Sequence, residues 1–302
     1  MPVEISDIRR TVFGGLIDYA GLFPPAGLDM ESAVAGYRAA RSSRHDWMVD
    51  RFIVPASRLE ELAAQLTPTM DAGEPPWRLS VLSDQGSWPA FAETHRAIAT
   101  YLQEMAGAST AELVEVKLPA QPDEGELGEA AAGFVRLGAI PFFEMPADEL
   151  PVDVLAVVRR RRDIALGAKL RCGGVTAELF PSSERVAEFI ASCTGHSLPF
   201  KCTAGLHHPL RHHDPATGFI HHGFLNILVA SLAAAEGSAD LVEIISDTDP
   251  GSFGVGRAAV SWRGRKFSPE QVSAARAGGF VGYGSCDFDE PVGDLTELGM
   301  LP

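Results

Sequence analysis

Two segments decide the reading of this chain: IALGAKLRCGG at 164–174 and PFKCTAGLHHPLRHHDPATGFIHHGFLN at 199–226. Each contains a short apolar run that carries a lysine and ends in glycine. A strand alternates its side chains between two faces. Lys169 and Arg171 therefore share one face, Lys201 and Thr203 share another, and Leu170, Cys172 and Cys202 point the opposite way. Charge on one face and small apolar groups on the other fits a strand whose outer face is covered by helices and whose inner face lines a polar site. The spacing predicts a helix over 183–193 between the two strands, capped at Ser182 or Ser183.

Outward from this pair, the pattern repeats. A short amphipathic helix is expected over 4–13, then a strand ending in Asp18, and an unusually apolar loop over 20–27. Further strands are predicted at 51–55, 77–82, 113–119 and 141–146, with helices over 30–41, 58–66 (capped by Ser57), 89–105, 125–137 and 150–161. Residues 71–76 read as a turn-rich connection. After the histidines come a helix over 223–235, a short helix capped by Ser238, a small hairpin over 253–267, and a helix opened by Ser268-Pro269. A final strand at 280–285 and a helix near 292–298 close the chain. Eight strands alternating with helices is the arithmetic of a (β/α)8 TIM-like barrel. We expect one barrel domain over 1–302, with a helix-hairpin excursion inserted at about 238–267 between strands seven and eight. A doubly wound sheet is the competitor, but Gly14-Gly15 precedes the first strand, so its glycine-rich phosphate fingerprint is missing.

The totals set bounds. A chain of 302 residues with 46% hydrophobic content can bury a substantial core. A net charge of −15 argues against nonspecific binding to nucleic acid or anionic membrane. The four cysteines show no CxxC spacing, the N-terminus lacks a secretory pattern, and no apolar run reaches transmembrane length. The expectation is a cytoplasmic protein with reduced thiols, a small anionic molecule as its partner, and room for assembly with further copies of itself.

In a barrel the active site lies at the C-terminal ends of the strands. Asp18, Glu115, Lys117, Glu144, Lys169, Arg171, Lys201 and Thr203 all fall on strands there. Charged side chains are almost never buried without partners, so their convergence predicts either a site or a buried ion-pair network. Lys169 and Lys201 on adjacent strands suit a Schiff-base pair, one amine attacking a carbonyl and the other lowering its pKa, with Lys201→Met as the decisive substitution. Glu115 or Glu144 would shuttle the proton. Arg171 and Arg211 are candidates for a substrate carboxylate or phosphate, and Ser285 after the last strand for a phosphate.

KCTAG at 201–205 resembles the KTSTG segment that carries the Schiff-base lysine in deoxyribose-phosphate aldolases. AKLRCGG at 168–174 is similar to their neighbouring lysine-and-glycine strand, with the order of the two segments swapped. The resemblance implies a class I aldolase or lyase acting on a small carbonyl compound without a metal. Glu115-x-Lys117 resembles the acid-x-lysine strand of orotidine-monophosphate-decarboxylase-like barrels, with Glu in place of Asp. IDYAGLFPPA, FKCTAGLHHP, HGFLN and GSCDFDEP together resemble an uncharacterised bacterial barrel family.

Six of the nine histidines fall in the second segment: His207, His208, His212, His213, His221 and His222. His207 and His208 leave strand seven directly, so one of them is expected to reach the site as general base and the other to point away. Asn226 would orient such a base. The alternative is a metal-dependent hydrolase or lyase in which a divalent metal is held by His207, His208 and His212, with Glu144 or Asp18 as further donors. A third reading is a non-enzymatic barrel that binds a small anion. Cys286, just past the last strand, has no basic partner evident in the sequence.

Overall fold

The computed structural model describes residues 7–67, 74–83, 85, 87–119, 121–146 and 149–302. Residues 4–6 of the expected first helix and 71–73 of the expected turn lie outside that set. Eight parallel strands close a barrel: β1 (Ile17–Tyr19), β2 (Val49–Pro55), β3 (Trp77–Leu82), β4 (Ser109–Lys117), β5 (Ile140–Glu144), β6 (Gly167–Arg171), β7 (Phe200–Thr203) and β8 (Phe280–Ser285). Neighbours pair in sequence order, and β8 closes on β1 through Ile17–Tyr283, Asp18–Gly284 and Tyr19–Ser285. The chain is a (β/α)8 barrel.

The alternating side chains explain why the barrel holds. The outward set includes Phe52 and Val54, Leu79 and Val81, Val114 and Val116, Ala168 and Leu170, and Phe200 and Cys202, all buried under the helices. Phe200 packs edge-on against Phe189 of helix Ser183–Gly195 and stacks with Phe280. The inward set is largely polar. One exception sets a spacing: a side chain at Gly167 would meet the Phe142 ring and the Pro199 carbonyl oxygen within 2.7 Å, so only glycine fits there.

Between β7 and β8 lie a two-stranded pairing of His212–His213 with Ile220–His221, helix Phe224–Ala235, helix Leu241–Ser246, and a three-stranded antiparallel sheet of Phe253–Val255, Val260–Trp262 and Arg265–Phe267. Helix Phe224–Ala235 is apolar on nearly every face, as a helix covered on all sides must be. It packs on β8, on helix Ser183–Gly195 and on the added elements, and Phe224 stacks on Tyr283 at 4.8 Å.

Several local expectations change. Ser57 does not cap a helix: it lies in a 3-10 turn, Ala56–Arg58, that leads into helix Leu59–Leu66. Ser238 donates to the Asp240 carboxylate, and Asp240 is the residue that precedes helix Leu241–Ser246. Ser182 and Ser268 do cap their helices, Ser268 with Gln271 in a reciprocal capping box.

Candidate functional site

The site grows from strand parity. Glu144, Lys169 and Lys201 are register partners across β5, β6 and β7, so their side chains share one face at one level of the barrel. Asp18 on β1 and Glu115 on β4 reach the same interior. Lys201 is fully buried, and Asp18, Glu115 and Lys169 are nearly so.

The buried charges alternate in sign. Lys201 Nζ lies 2.6 Å from Asp18 Oδ2 and 2.5 Å from Glu115 Oε1. Lys169 Nζ lies 2.7 Å from Glu115 Oε2 and 2.8 Å from Glu144 Oε2. Glu115 thus bridges both lysines, and Ser80 Oγ donates to its Oε1 at 2.7 Å. Burial alone pushes the Glu115 carboxyl up, but the two ammonium groups and their hydrogen bonds outweigh it and hold Glu115 well below the carboxylate range. Glu144 is also lowered, since Lys169, with help from Arg171, outweighs its burial. At Lys169 burial favours the neutral amine, but Glu115 and Glu144 win and raise it above the ordinary lysine range.

This corrects one expectation. A lysine beside a second lysine was expected to be held neutral, but Glu115 lies between Lys169 and Lys201, and Glu115 and Glu144 raise Lys169 instead. Opposite charges at under 3 Å outweigh desolvation and like-charge repulsion at longer range.

Other candidates separate from this centre. Lys117 is exposed at the end of β4, two residues past Glu115 and in register with Glu144, and does not join the buried charges. Arg171 is half-buried and its Nε donates to the Gly173 carbonyl oxygen at 2.8 Å. Thr203 is half-buried on the same inward face as Lys201, 3.5 Å from where a side chain at Gly284 would begin. Ser285 faces outward and donates its hydroxyl to the Asp287 carbonyl oxygen at 2.6 Å, which occupies it within the turn.

The histidines serve several local roles. Helix Asp289–Glu297 presents Glu290 and Asp294 one turn apart, so both lie on one face. His207 Nδ1 pairs with Glu290 Oε2 at 3.0 Å, and His208 Nδ1 with Asp294 Oδ2 at 2.6 Å. His208 Nε2 lies 3.5 Å from Glu290 Oε1, so both of its nitrogens face carboxylates. His212 Nδ1 faces the Leu210 carbonyl oxygen. Buried His222 donates from Nε2 to the Pro181 carbonyl oxygen at 2.7 Å, and its Nδ1 accepts from Arg211 at 3.2 Å. Burial holds His222 down at about 4, neutral at physiological pH. Arg211 is thereby tied into the loop. Asn226 orients no histidine: its amide accepts from the Arg211 N–H and donates to the Ile244 and Asp247 carbonyl oxygens. Among the described residues, no three or more His, Cys, Asp or Glu side chains come together in a way that could hold a metal ion.

Sequence reasoning missed the floor beneath the lysines. Arg51 at the start of β2 pairs with Asp18 at 3.4 Å, Asp50 at 2.6 Å and Glu112 at 3.1 Å. Arg78 pairs with Asp50 and Glu112 as well. The signal was present, since Asp50-Arg51, Arg78 and Glu112 are charges at strand starts.

No family model and no curated protein matches the chain. Solved structures with a similar fold include a deoxyribose phosphate aldolase from Aeropyrum pernix, 13% identical with a TM-score of 0.45, covering 69% of this chain and 87% of that one. A putative dihydrodipicolinate synthase family protein from Coccidioides immitis is 15% identical at 0.39, covering 65% and 62%. A mandelate racemase/muconate lactonizing enzyme-like protein from Rubrobacter xylanophilus is 11% identical at 0.30, covering 71% and 60%. All three are distant likenesses. Among the described residues, no helix is long and apolar enough to cross a membrane.

Proposed function

We propose that this barrel is a lyase of the aldolase type, making or breaking a carbon–carbon bond in a small anionic carbonyl compound through a Schiff base on Lys169. The observation that carries the reading is the pair of buried lysines on adjacent strands, bridged by Glu115 and flanked by Asp18 and Glu144.

Lys169 is a better nucleophile than Lys201 on grounds of access. Lys201 has no exposed surface and sits between Asp18 and Glu115 above the Arg51 layer. Lys169 leans on Glu144, the last residue of β5, whose side chain is 11% exposed. For attack the ammonium passes a proton to Glu144. The amine adds to the carbonyl carbon, Glu144 returns its proton to the carbinolamine hydroxyl, which leaves as water, and a protonated imine forms beside the restored carboxylate. That cation then lies between Glu115 and Glu144, as the ammonium did. The carboxylates that raise the lysine thus also stabilise the iminium, which accepts the electron pair of the breaking bond. Arg171 and Thr203, next toward the mouth, suit the substrate's anionic group. Lys201 keeps Glu115 ionised.

The test is borohydride trapping with a panel of small aldehydes and 2-keto acids, followed by peptide mapping. The expected adduct is on Lys169. Lys169→Met should abolish it, and Lys201→Met should slow it. An adduct on Lys201, or none across the panel, would sink the reading. The held ammonium favours one second reading: Lys169 as a proton donor in lyase chemistry with no covalent intermediate. Turnover without trapping would identify it.

A further inference from the structure

Cys286 lies one residue past β8, at the end of the barrel where β7 releases His207. The fold gives this thiol a basic partner that the sequence did not reveal. Its Sγ is 3.8 Å from His207 Nε2 and 3.9 Å from Nδ1. Nδ1 is engaged by Glu290 Oε2 at 3.0 Å. A carboxylate can only accept, so Nδ1 carries a proton toward Glu290, and the near-equal distances set the sulfur beside the ring between the two nitrogens. Glu290 is itself fixed: Asp287 Oδ1 accepts the Asp289 and Glu290 N–H groups at 2.8 and 3.0 Å. The Ala26 N–H faces the sulfur from the apolar loop over 20–27. That loop is tied to β8 by the Ala20 N–H bond to the Ser285 carbonyl oxygen at 2.7 Å. A nucleophile, an imidazole, a carboxylate that orients the imidazole and a backbone donor therefore meet at one place.

We propose that Cys286, His207 and Glu290 form a second reactive site at the barrel mouth, which adds reversibly to a small aldehyde. In the step, His207 Nε2 takes the thiol proton as sulfur attacks the carbonyl carbon. The carbonyl π pair moves to oxygen, which receives that proton back from His207, giving a neutral thiohemiacetal. No oxidant or reductant is needed. Burial, with the nearby Asp287 and Glu290 carboxylates, pushes the free thiol up, so His207 acts as a general base during attack and not through a standing ion pair. The proposal does not depend on the lysine chemistry.

The experiment uses the full-length native protein and iodoacetamide, read by intact mass and peptide mapping. Cys172, Cys193 and Cys202 are fully buried and serve as internal controls. Cys286 should alkylate first, and excess glycolaldehyde should slow it, in wild type and in Lys169→Met alike. His207→Ala should slow alkylation about 100-fold, and added free imidazole should restore part of the rate, which a packing role would not do. Glu290→Gln, which keeps the side-chain shape, should slow it less. Equal rates in wild type and His207→Ala, no rescue by imidazole, or no protection by glycolaldehyde would each overturn the assignment.

Discussion

Glu115 is the residue on which the centre balances, because each of its two oxygens holds a different ammonium. Glu115→Gln keeps the shape but leaves Lys169 and Lys201 with one fewer counter-charge in a dry interior. Breaking a buried pair on one side costs about 3–5 kcal/mol, so a loss of that order is expected in urea unfolding. The sign with pH follows from the lowered carboxyl. Its stabilisation is fully present above the unfolded value near 4.5 and fades as pH falls below it. The raised Lys169 contributes below its unfolded value near 10.5 and fades as pH rises past it. The gap between wild type and Glu115→Gln should therefore hold steady from pH 5 to about 10 and close in acid. A gap that widens on acidification would contradict the network.

At the scale of elements, Asn226 is the fastener. On helix Phe224–Ala235 it joins the loop at Arg211 to the end of helix Leu241–Ser246 through three backbone hydrogen bonds. Asn226→Ala strands buried backbone groups, each costing about 1–3 kcal/mol. The expected result is a several-degree drop in Tm with faster hydrogen exchange at the Arg211 amide, and no specific effect on Schiff-base trapping. Loss of trapping with Tm unchanged would return Asn226 to the site. The same residue shows what could be read beforehand. Strand alternation placed Lys169, Lys201, Glu115 and Glu144 correctly because parity is a local property of the backbone. Asn226 was misread and Cys286 left unassigned because their partners lie 15 to 79 residues away in the chain, on other elements. His207 and His208, expected to part toward and away from the site, instead both reach Glu290, with Asp294 beside it, on a helix about 85 residues on, a pairing no local pattern encodes.

Across the whole molecule, ion pairs run through the barrel from Arg78 and Asp50 at the bottom, through Arg51 and Asp18, to Lys201, Glu115, Lys169 and Glu144 near the mouth. The two ends respond oppositely to pH. Asp50 lines a groove of about 490 Å³ with Tyr37, Arg38, Arg41, Glu74 and Arg78 at the N-terminal end of the strands. Burial, the largest influence, pushes its carboxyl up to about 6, with Asp18 and Glu112 adding to this and Arg51 and Arg78 opposing it. A folded-state value above the unfolded 3.8 means that ionised Asp50 opposes folding at neutral pH. That opposition relaxes as pH falls through 6 and is gone below 3.8, while Glu115 still contributes in full above 4.5. Acidification also reduces the self-repulsion of a chain with a net charge of −15, so absolute stabilities mix the two effects. The difference between wild type and Asp50→Asn isolates the local one. Urea midpoints at pH 7, 6 and 5 should show that difference moving steadily in favour of wild type. A constant difference, or one moving toward Asp50→Asn, would mean that Arg51 and Arg78 fully compensate Asp50 and that the lower half of the barrel is as well paired as the upper.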